Sequence, residues 1–285
     1  MTCTLSNPMV EAARAQWDAA AEGWDAQSPA LHAWLSGPTR TMLEMAGIEP
    51  GDCVLDLAAG AGEQTLALAA RLGPRGRIVA TDLSPALVER LRRGVLHAGF
   101  PAIEARVADA QMPLPEVDVF DAAVCRLGLM LMPEPARCLS ATRSALKPGG
   151  RFSAMVFAGP QENPCIRILM ATALRHAGLG PRDPFAPGGL LSLGGPAHLD
   201  HLFLAAGFGE VSTLRLDAPF RLPSVDGYIA FLRAAAAPVM AMLSRLAPAA
   251  QEAAWQDMRE QLAVFEGPNG WVGPNTLLLT TGRKQ

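Results

Sequence analysis

Charge is scarce in this chain: 18% of its 285 residues are Asp, Glu, Lys or Arg, and the formal balance is -3. No run of Lys or Arg occurs, so there is no basic field to draw in a phosphate backbone, and nucleic acid is not an expected partner. Cysteine is equally sparse. The 5 cysteines (Cys3, Cys53, Cys125, Cys138, Cys165) are odd in number, scattered, and contain no C-x-x-C pair, which argues against a disulfide framework and a zinc site and fits a reducing compartment. Long apolar runs are missing too. The Ala-rich stretch from Ala234 to Leu243 is too short for a bilayer and holds Pro238, and the first residues lack a cationic stretch followed by an apolar one. The expectation is a soluble, cytoplasmic chain without membrane insertion. No internal repeat occurs, so a solenoid is not expected either.

Apolar material, by contrast, is plentiful: 50% of the residues are hydrophobic, enough for a sizeable packed core. From Asn7 to Asp25 helix formers carry Trp17 and Trp24 on one face, and Thr39 to Ala46 reads as a second helix stopped by Gly47 and Pro50-Gly51. The pattern then switches period. Short buried strands are predicted at Cys53–Leu57, Gly76–Thr81, Ile103–Val107, Phe120–Cys125 and Arg151–Phe157, with helices at Thr65–Leu72, Pro85–Ala98 and Pro135–Leu146 between them. Strands alternating with helices predict an α/β fold: a doubly wound, mostly parallel sheet with right-handed crossovers.

Beyond Phe157 the chain becomes rich in Pro and Gly around a predicted helix at Cys165–Ala177. A helix at Leu199–Ala206, a strand at Glu210–Leu216, helices filling Ser224–Leu246 and Pro248–Phe265, and a last strand at Thr276–Thr281 follow. The expected organisation is a helical lid over 1–47, a core over 48–158, and cap helices with sheet-completing strands over 159–285, all one structural unit.

The chemistry-bearing segment is Val54-Leu55-Asp56-Leu57-Ala58-Ala59-Gly60-Ala61-Gly62-Glu63, where an acid on a buried strand runs into a glycine turn that opens a helix. Glycine belongs where the chain turns sharply and a ligand must approach without a Cβ in the way. Asp82 follows the second strand, where a carboxylate across the same crevice accepts from both hydroxyls of a ribose. Asp109 sits just past the third strand. A nicotinamide fingerprint is disfavoured, because Thr65 stands where the third glycine of G-x-G-x-x-G belongs.

These pieces, with Asp109-Ala110-Gln111-Met112-Pro113-Leu114-Pro115, Phe120-Asp121 and Leu146-Lys147-Pro148-Gly149-Gly150 following in order, resemble the class I methyltransferases, and within them the quinone-biosynthesis-like group. The resemblance covers about Trp17 to Phe157 well and the rest loosely. It implies a Rossmann-like seven-stranded sheet with its last strand antiparallel and with helical cap insertions. The cofactor it implies is S-adenosylmethionine, leaving as S-adenosylhomocysteine. It also implies roles: Asp56 orients the methionine end, directly or through water, beside Ala58, Gly60 and Gly62; Asp82 and Leu83 take the ribose; Asp109 and the Ala110 amide read the adenine. Arg126 contacts the cofactor after the fourth strand, and Trp17 or Trp24 closes over it. One departure is Ala58, which replaces the first glycine of the usual run and is strained if that position needs a positive φ.

No obligatory catalytic base can be identified. His32 and His176 are candidates that also read as surface or helix-end histidines. His198 and His201 lie three apart on a predicted helix, but no third ligand accompanies them; Asp200 points elsewhere, and no metal is expected. The Met-rich run Leu127–Met132 reads as core and pocket wall. Ile166, Leu169, Met170, Leu174, Phe231, Leu232, Met240 and Leu243 supply apolar cap faces, so the expected function is methyl transfer to a small, largely apolar acceptor. A silent cofactor-binding scaffold and a nicotinamide oxidoreductase are the alternatives. A homodimer is the prior for assembly.

Overall fold

The structure, a computed structural model, describes residues 7–98 and 102–285. Cys3 lies outside them. Helix α1 (Pro8–Ala26) is capped by Asn7, whose Oδ1 accepts from the Met9 N–H at 3.0 Å. Helix α2 (Ser28–Met45) follows almost at once. It is much longer than the expected Thr39–Ala46 because Pro38, which by itself reads as a break, is accommodated in mid-helix with its ring buried.

The alternating segment then follows as read: β1 (Cys53–Leu57), α3 (Glu63–Leu72), β2 (Arg77–Asp82), α4 (Pro85–Ala98), β3 (Ile103–Val107), β4 (Phe120–Arg126), α5 (Pro135–Ala145) and β5 (Leu146–Phe157). The sequence-predicted strand ends fall within a few residues, except that β5 starts at Leu146 and takes in the Lys147–Gly150 turn. The cap adds α6 (Pro164–His176) and α7 (His198–Ala205), then β6 (Phe208–Asp217), β7 (Phe220–Leu222), α8 (Val225–Ala235), α9 (Ala237–Leu243) and α10 (Pro248–Leu262). Strands β8 (Glu266–Gly267), β9 (Gly270–Gly273) and β10 (Thr276–Lys284) close the chain.

The main sheet has seven strands in the order β3-β2-β1-β4-β5-β10-β6. Strands β1 to β5 pair in parallel, whereas β10 runs antiparallel to both β5 and β6. In β1, β2 and β4 nearly every residue is buried, inward and outward alike, as a parallel sheet covered on both faces requires. The edges β3 and β6 are half exposed. The helix faces match this: α4 buries Leu87, Val88, Leu91 and Val95 at helical spacing.

At the amino ends of the strands, Asp121 accepts from the Cys53 N–H at 2.9 Å and from Lys147 Nζ at 2.6 Å, tying β1, β4 and β5 together. Burial alone raises the Asp121 carboxyl, but these donors outweigh it and hold it below the ordinary range. The Phe120-Asp121 and Lys147–Gly150 pieces of the sequence pattern are thus structural staples away from the strand ends that carry ligands.

Two features of the cap were not legible. A small sheet, β7-β9-β8, is built around Trp271, which is wholly buried and stacks on Tyr228 at 4.0 Å between ring centroids. The predicted helical stretch Ser224–Leu246 is broken at Ala236, ahead of Pro238, and α9 leaves α8 at 80°. Among the described residues no single helix is long and apolar enough to cross a membrane.

Candidate functional site

Reversal of strand order between β1 and β4 opens a crevice at the carboxyl ends of the strands, the place where open α/β sheets hold ligands. Every turn leaving β1 to β4 contributes to it: Ala58–Gly60, Asp82–Leu83, Ala108–Gln111 and Arg126–Gly128, with Leu131, Met132 and Pro133 beyond. Helix α1 roofs the crevice with Val10, Ala13, Trp17 and Trp24, and Leu35 of α2 reaches in. The two indoles meet edge to face at 5.4 Å. Expected site residues Trp24, Ala58, Gly60, Asp82, Leu83, Asp109, Ala110 and Arg126 therefore share one cleft.

The floor is made by conformations that favour glycine. Gly60 has φ 59°, and a Cβ there would stand 3.3 Å from Trp24 Nε1, so only glycine leaves open the gap under the indole. Ala58 has φ 52° and Leu127 φ 56°, so two non-glycine residues carry left-handed backbone within the cleft. Such residues cost about 1–2 kcal/mol each. The strain anticipated for Ala58 is present, and it sits at the site, where strained backbone characteristically collects.

Asp82 faces the Gly60 turn across the crevice. Its Oδ2 accepts from the Gly60 N–H and its Oδ1 from the Ser84 N–H, both at 2.9 Å. A carboxylate has about four lone-pair positions, so two main-chain bonds fix its orientation and leave acceptor capacity toward the cleft. Burial raises its carboxyl above the ordinary value against these bonds. Asp109 is held similarly: one oxygen accepts from the Gln111 main-chain N–H at 2.9 Å and from Gln111 Nε2 at 3.0 Å, and the other remains available.

Asp56 and Gly62 do not line the cleft. Asp56 is fully buried and accepts from Gln64 Nε2 and, at 2.7 Å, from Thr65 Oγ1. Asp56, expected to orient the methionine end directly or through water, stands behind the cleft wall and anchors Gln64, which does line the cleft. Gly62, at φ 97°, is the N-cap of α3, and a Cβ would lie 2.9 Å from Leu91 Cγ. It lets α3 pack on α4. Gln64, Gln111 and Gly128 are site residues that sequence reasoning missed. Only the first turn of α3, facing back toward Asp56, could have signalled Gln64.

Arg126 is pinned on both sides, by Glu63 at 2.5 Å and Thr39 Oγ1 at 2.9 Å. His32 Nδ1 meets the same Glu63 at 2.8 Å, but its ring is exposed and does not reach the cleft. His176 pairs at 2.8 Å with Asp257, which lines the hollow under the cap and not the cleft. Neither candidate base stands at the cleft: His32 is turned outward from α2 to Glu63, and His176 is held by Asp257 beside the hollow. His198 and His201 are exposed, Asp200 is bound by Thr213, and no metal-binding group of side chains occurs among the described residues.

Helix α1 is tied to the cleft. Asp18 accepts from Ser84 Oγ at 2.5 Å and from the Ala86 N–H at 3.2 Å at the start of α4, and Asp25 pairs with Arg90 at 2.9 Å. A second, larger hollow of about 1840 Å³ lies on the other side of α1, under α6, α9 and the Pro- and Gly-rich segment. Met170, Leu174 and Met240 line it as expected, whereas Ile166, Leu169, Phe231, Leu232 and Leu243 are packed core. Ala13, Leu131 and Pro133 line both spaces, so the cleft and the hollow adjoin there.

Comparison with known proteins agrees with this geometry. Residues 54–150 match the family described as Methyltransferase domain. The Ubiquinone/menaquinone biosynthesis C-methyltransferase UbiE of Teredinibacter turnerae is 33% identical over 123 residues, 42% of this chain and 49% of that protein. A demethylmenaquinone methyltransferase of Symbiobacterium thermophilum is 28% identical over 69% of this chain and 84% of its own length. The chain spans about half the length of the UbiE relatives it matches. Among solved structures, the YcgJ protein from Bacillus subtilis superposes with TM-score 0.59 at 17% identity, covering 88% of this chain and 99% of that one. The [4+2]-cyclase SpnF does so with TM-score 0.55 at 20% identity, over 92% and 94%. Sheet order, cleft and sequence match converge: residues 54–150 are similar to a methyltransferase domain, laid out on the same fold as the solved neighbours.

Proposed function

We propose that this chain transfers a methyl group from S-adenosylmethionine to a small, largely apolar acceptor. The observation that carries it is Asp82, oriented by two main-chain donors and facing the Gly60 turn in a cleft shared with Asp109. An adenosyl group fits that donor set: Asp82 takes the ribose hydroxyls, Asp109 and the Ala110 amide take the adenine edge, and Gln64, held by Asp56, reaches the methionine end. Gly60 leaves room beneath Trp24 for a ligand to lie against the main chain. The bound cofactor supplies an electrophilic methyl group on a sulfonium.

The protein's own part is positioning and exclusion of water. In-line displacement requires nucleophile, methyl carbon and sulfur to be aligned, and alignment alone supplies much of the acceleration. Ala13, Leu131 and Pro133 mark where the acceptor enters from the hollow, and α1 runs between the two spaces, lining both. With neither His32 nor His176 at the junction, the favoured acceptors are those whose reacting atom loses its proton easily, such as phenols and quinols. The names of the quinone-related relatives are consistent with that class.

Because the cyclase SpnF shares the fold, methyl transfer has to be tested in its own right. Calorimetric titration with S-adenosylhomocysteine and with NAD should give heat for the first alone. Incubation with S-adenosylmethionine and a panel of phenols and quinols should give products heavier by one methyl group. Binding without product from any acceptor would leave a cofactor-binding scaffold instead.

A further inference from the structure

We infer that the hollow under the cap takes an acceptor with an apolar body and an anionic group, which three arginines at its walls recognise. The inference deepens the methyl-transfer reading above and rests on it for the word acceptor. Met170, Leu174 and Met240 give the hollow an apolar surface. Around the same hollow stand Arg167 of α6, Arg182 of the Pro- and Gly-rich segment, and Arg245 just past α9.

Among the described residues, none of these three guanidinium groups has a carboxylate within ion-pair distance or donates a hydrogen bond to the protein. The fourth arginine of the hollow, Arg175, is paired with Asp257 at 2.5 Å, and Asp257 also meets His176. The other acid there, Asp183, turns one oxygen back to the Phe185 N–H at 2.9 Å. A chain with a formal charge of -3 thus lines this hollow with four arginines and two aspartates, and leaves three of those arginines uncommitted. Guanidinium groups are planar, always charged and suited to carboxylate or phosphate oxygens, so an uncommitted set beside an apolar wall is the complement of an acidic amphiphile. The same wall is poorly matched to a cationic acceptor, which the arginines would repel.

Affinities of the full chain for decanoate, decyl phosphate, 1-decanol and decyltrimethylammonium, measured at low and high salt, test this. S-adenosylhomocysteine is titrated in parallel. At low salt the two anions should bind about tenfold more tightly than the alcohol, with the preference shrinking at high salt because the arginines are exposed. Exchange of all three (Arg167→Gln, Arg182→Gln, Arg245→Gln) should abolish the preference and leave S-adenosylhomocysteine affinity unchanged. Equal binding of decanoate and decanol, no binding of either anion, tighter binding of the ammonium compound, or a preference that survives the triple exchange would each overturn it. Decanoate and decyl phosphate together separate a carboxylate from a phosphate preference within the same chemistry. Failure of S-adenosylhomocysteine to bind, with the anion preference intact, would remove the methyl-transfer reading and keep the anion site; the reverse outcome would do the opposite.

Discussion

Replacing Asp56 by Asn is expected to change how stability depends on pH, in a direction opposite to the usual loss of a buried carboxylate. Burial lifts the Asp56 carboxyl from 3.8 to about 6, against the hydrogen bonds from Thr65 and Gln64. An acid whose folded value lies above its unfolded value holds its proton more tightly in the native state. Its contribution to stability is therefore complete below the unfolded value and is lost as pH rises through the folded one. The window runs from 3.8 to about 6. At about 1.36 kcal/mol for each tenfold difference in proton affinity, the native state loses about 3 kcal/mol from this group across that window.

The asparagine side chain of Asp56→Asn carries no titrating proton, and its amide has a partner within reach, since Gln64 Oε1 is buried without one. Urea unfolding of both proteins from about pH 4 to about pH 7 measures the effect. Asp56→Asn should gain about 2 kcal/mol relative to wild type as pH rises through this range, most of the full swing. Asp82, also raised by burial, and the surface acids are common to both proteins and cancel in the difference. A difference that stays constant with pH, or one in which the variant loses ground as pH rises, would refute the view of Asp56 as a dry strut for Gln64.

Gly128→Ala should destabilise by about 1–3 kcal/mol in thermal melts, because its Cβ would sit 2.4 Å from Ala58 Cβ and 3.1 Å from Cys125 Sγ. Ala58→Gly, which removes the opposing methyl, should recover most of that loss, and equal losses in both backgrounds would rule out the clash. Asp82→Asn should weaken S-adenosylhomocysteine about 10–100-fold by calorimetry, the range expected for losing charge-assisted bonds to a ribose; unchanged affinity would defeat the ribose assignment. Leu131→Trp fills the opening between cleft and hollow, so turnover should fall at least about tenfold while S-adenosylhomocysteine affinity holds within about threefold. Parallel losses of both would mean that the acceptor enters elsewhere.

Much of the core could be read directly because its signals are local. Buried strands such as Val54–Leu57 and Phe120–Cys125 declare themselves by composition, and the turn at Ala58–Gly62 by the glycines that a sharp reversal into a helix demands. Asp82 and Asp109 were legible because strand ends in a doubly wound sheet share one edge. Where local signals pointed the wrong way, the packed fold prevailed. Pro38 looks like a break but sits inside α2, and the residues of β7, β8 and β9 are too few to show a period, so only the burial of Trp271 among Tyr228 and Phe265 reveals that sheet.

The sequence by itself determined the strand–turn–helix order, the acids at the strand ends and the glycine turn after β1, since each depends on residues close together in the chain. Only the tertiary structure decided that Asp56 holds Gln64 at the cleft, that Asp18 ties the roof to α4, and that three separate arginines face one hollow. These relations join residues far apart in sequence, and no local preference specifies them; they come from how the lid and cap helices bury their apolar faces against the sheet.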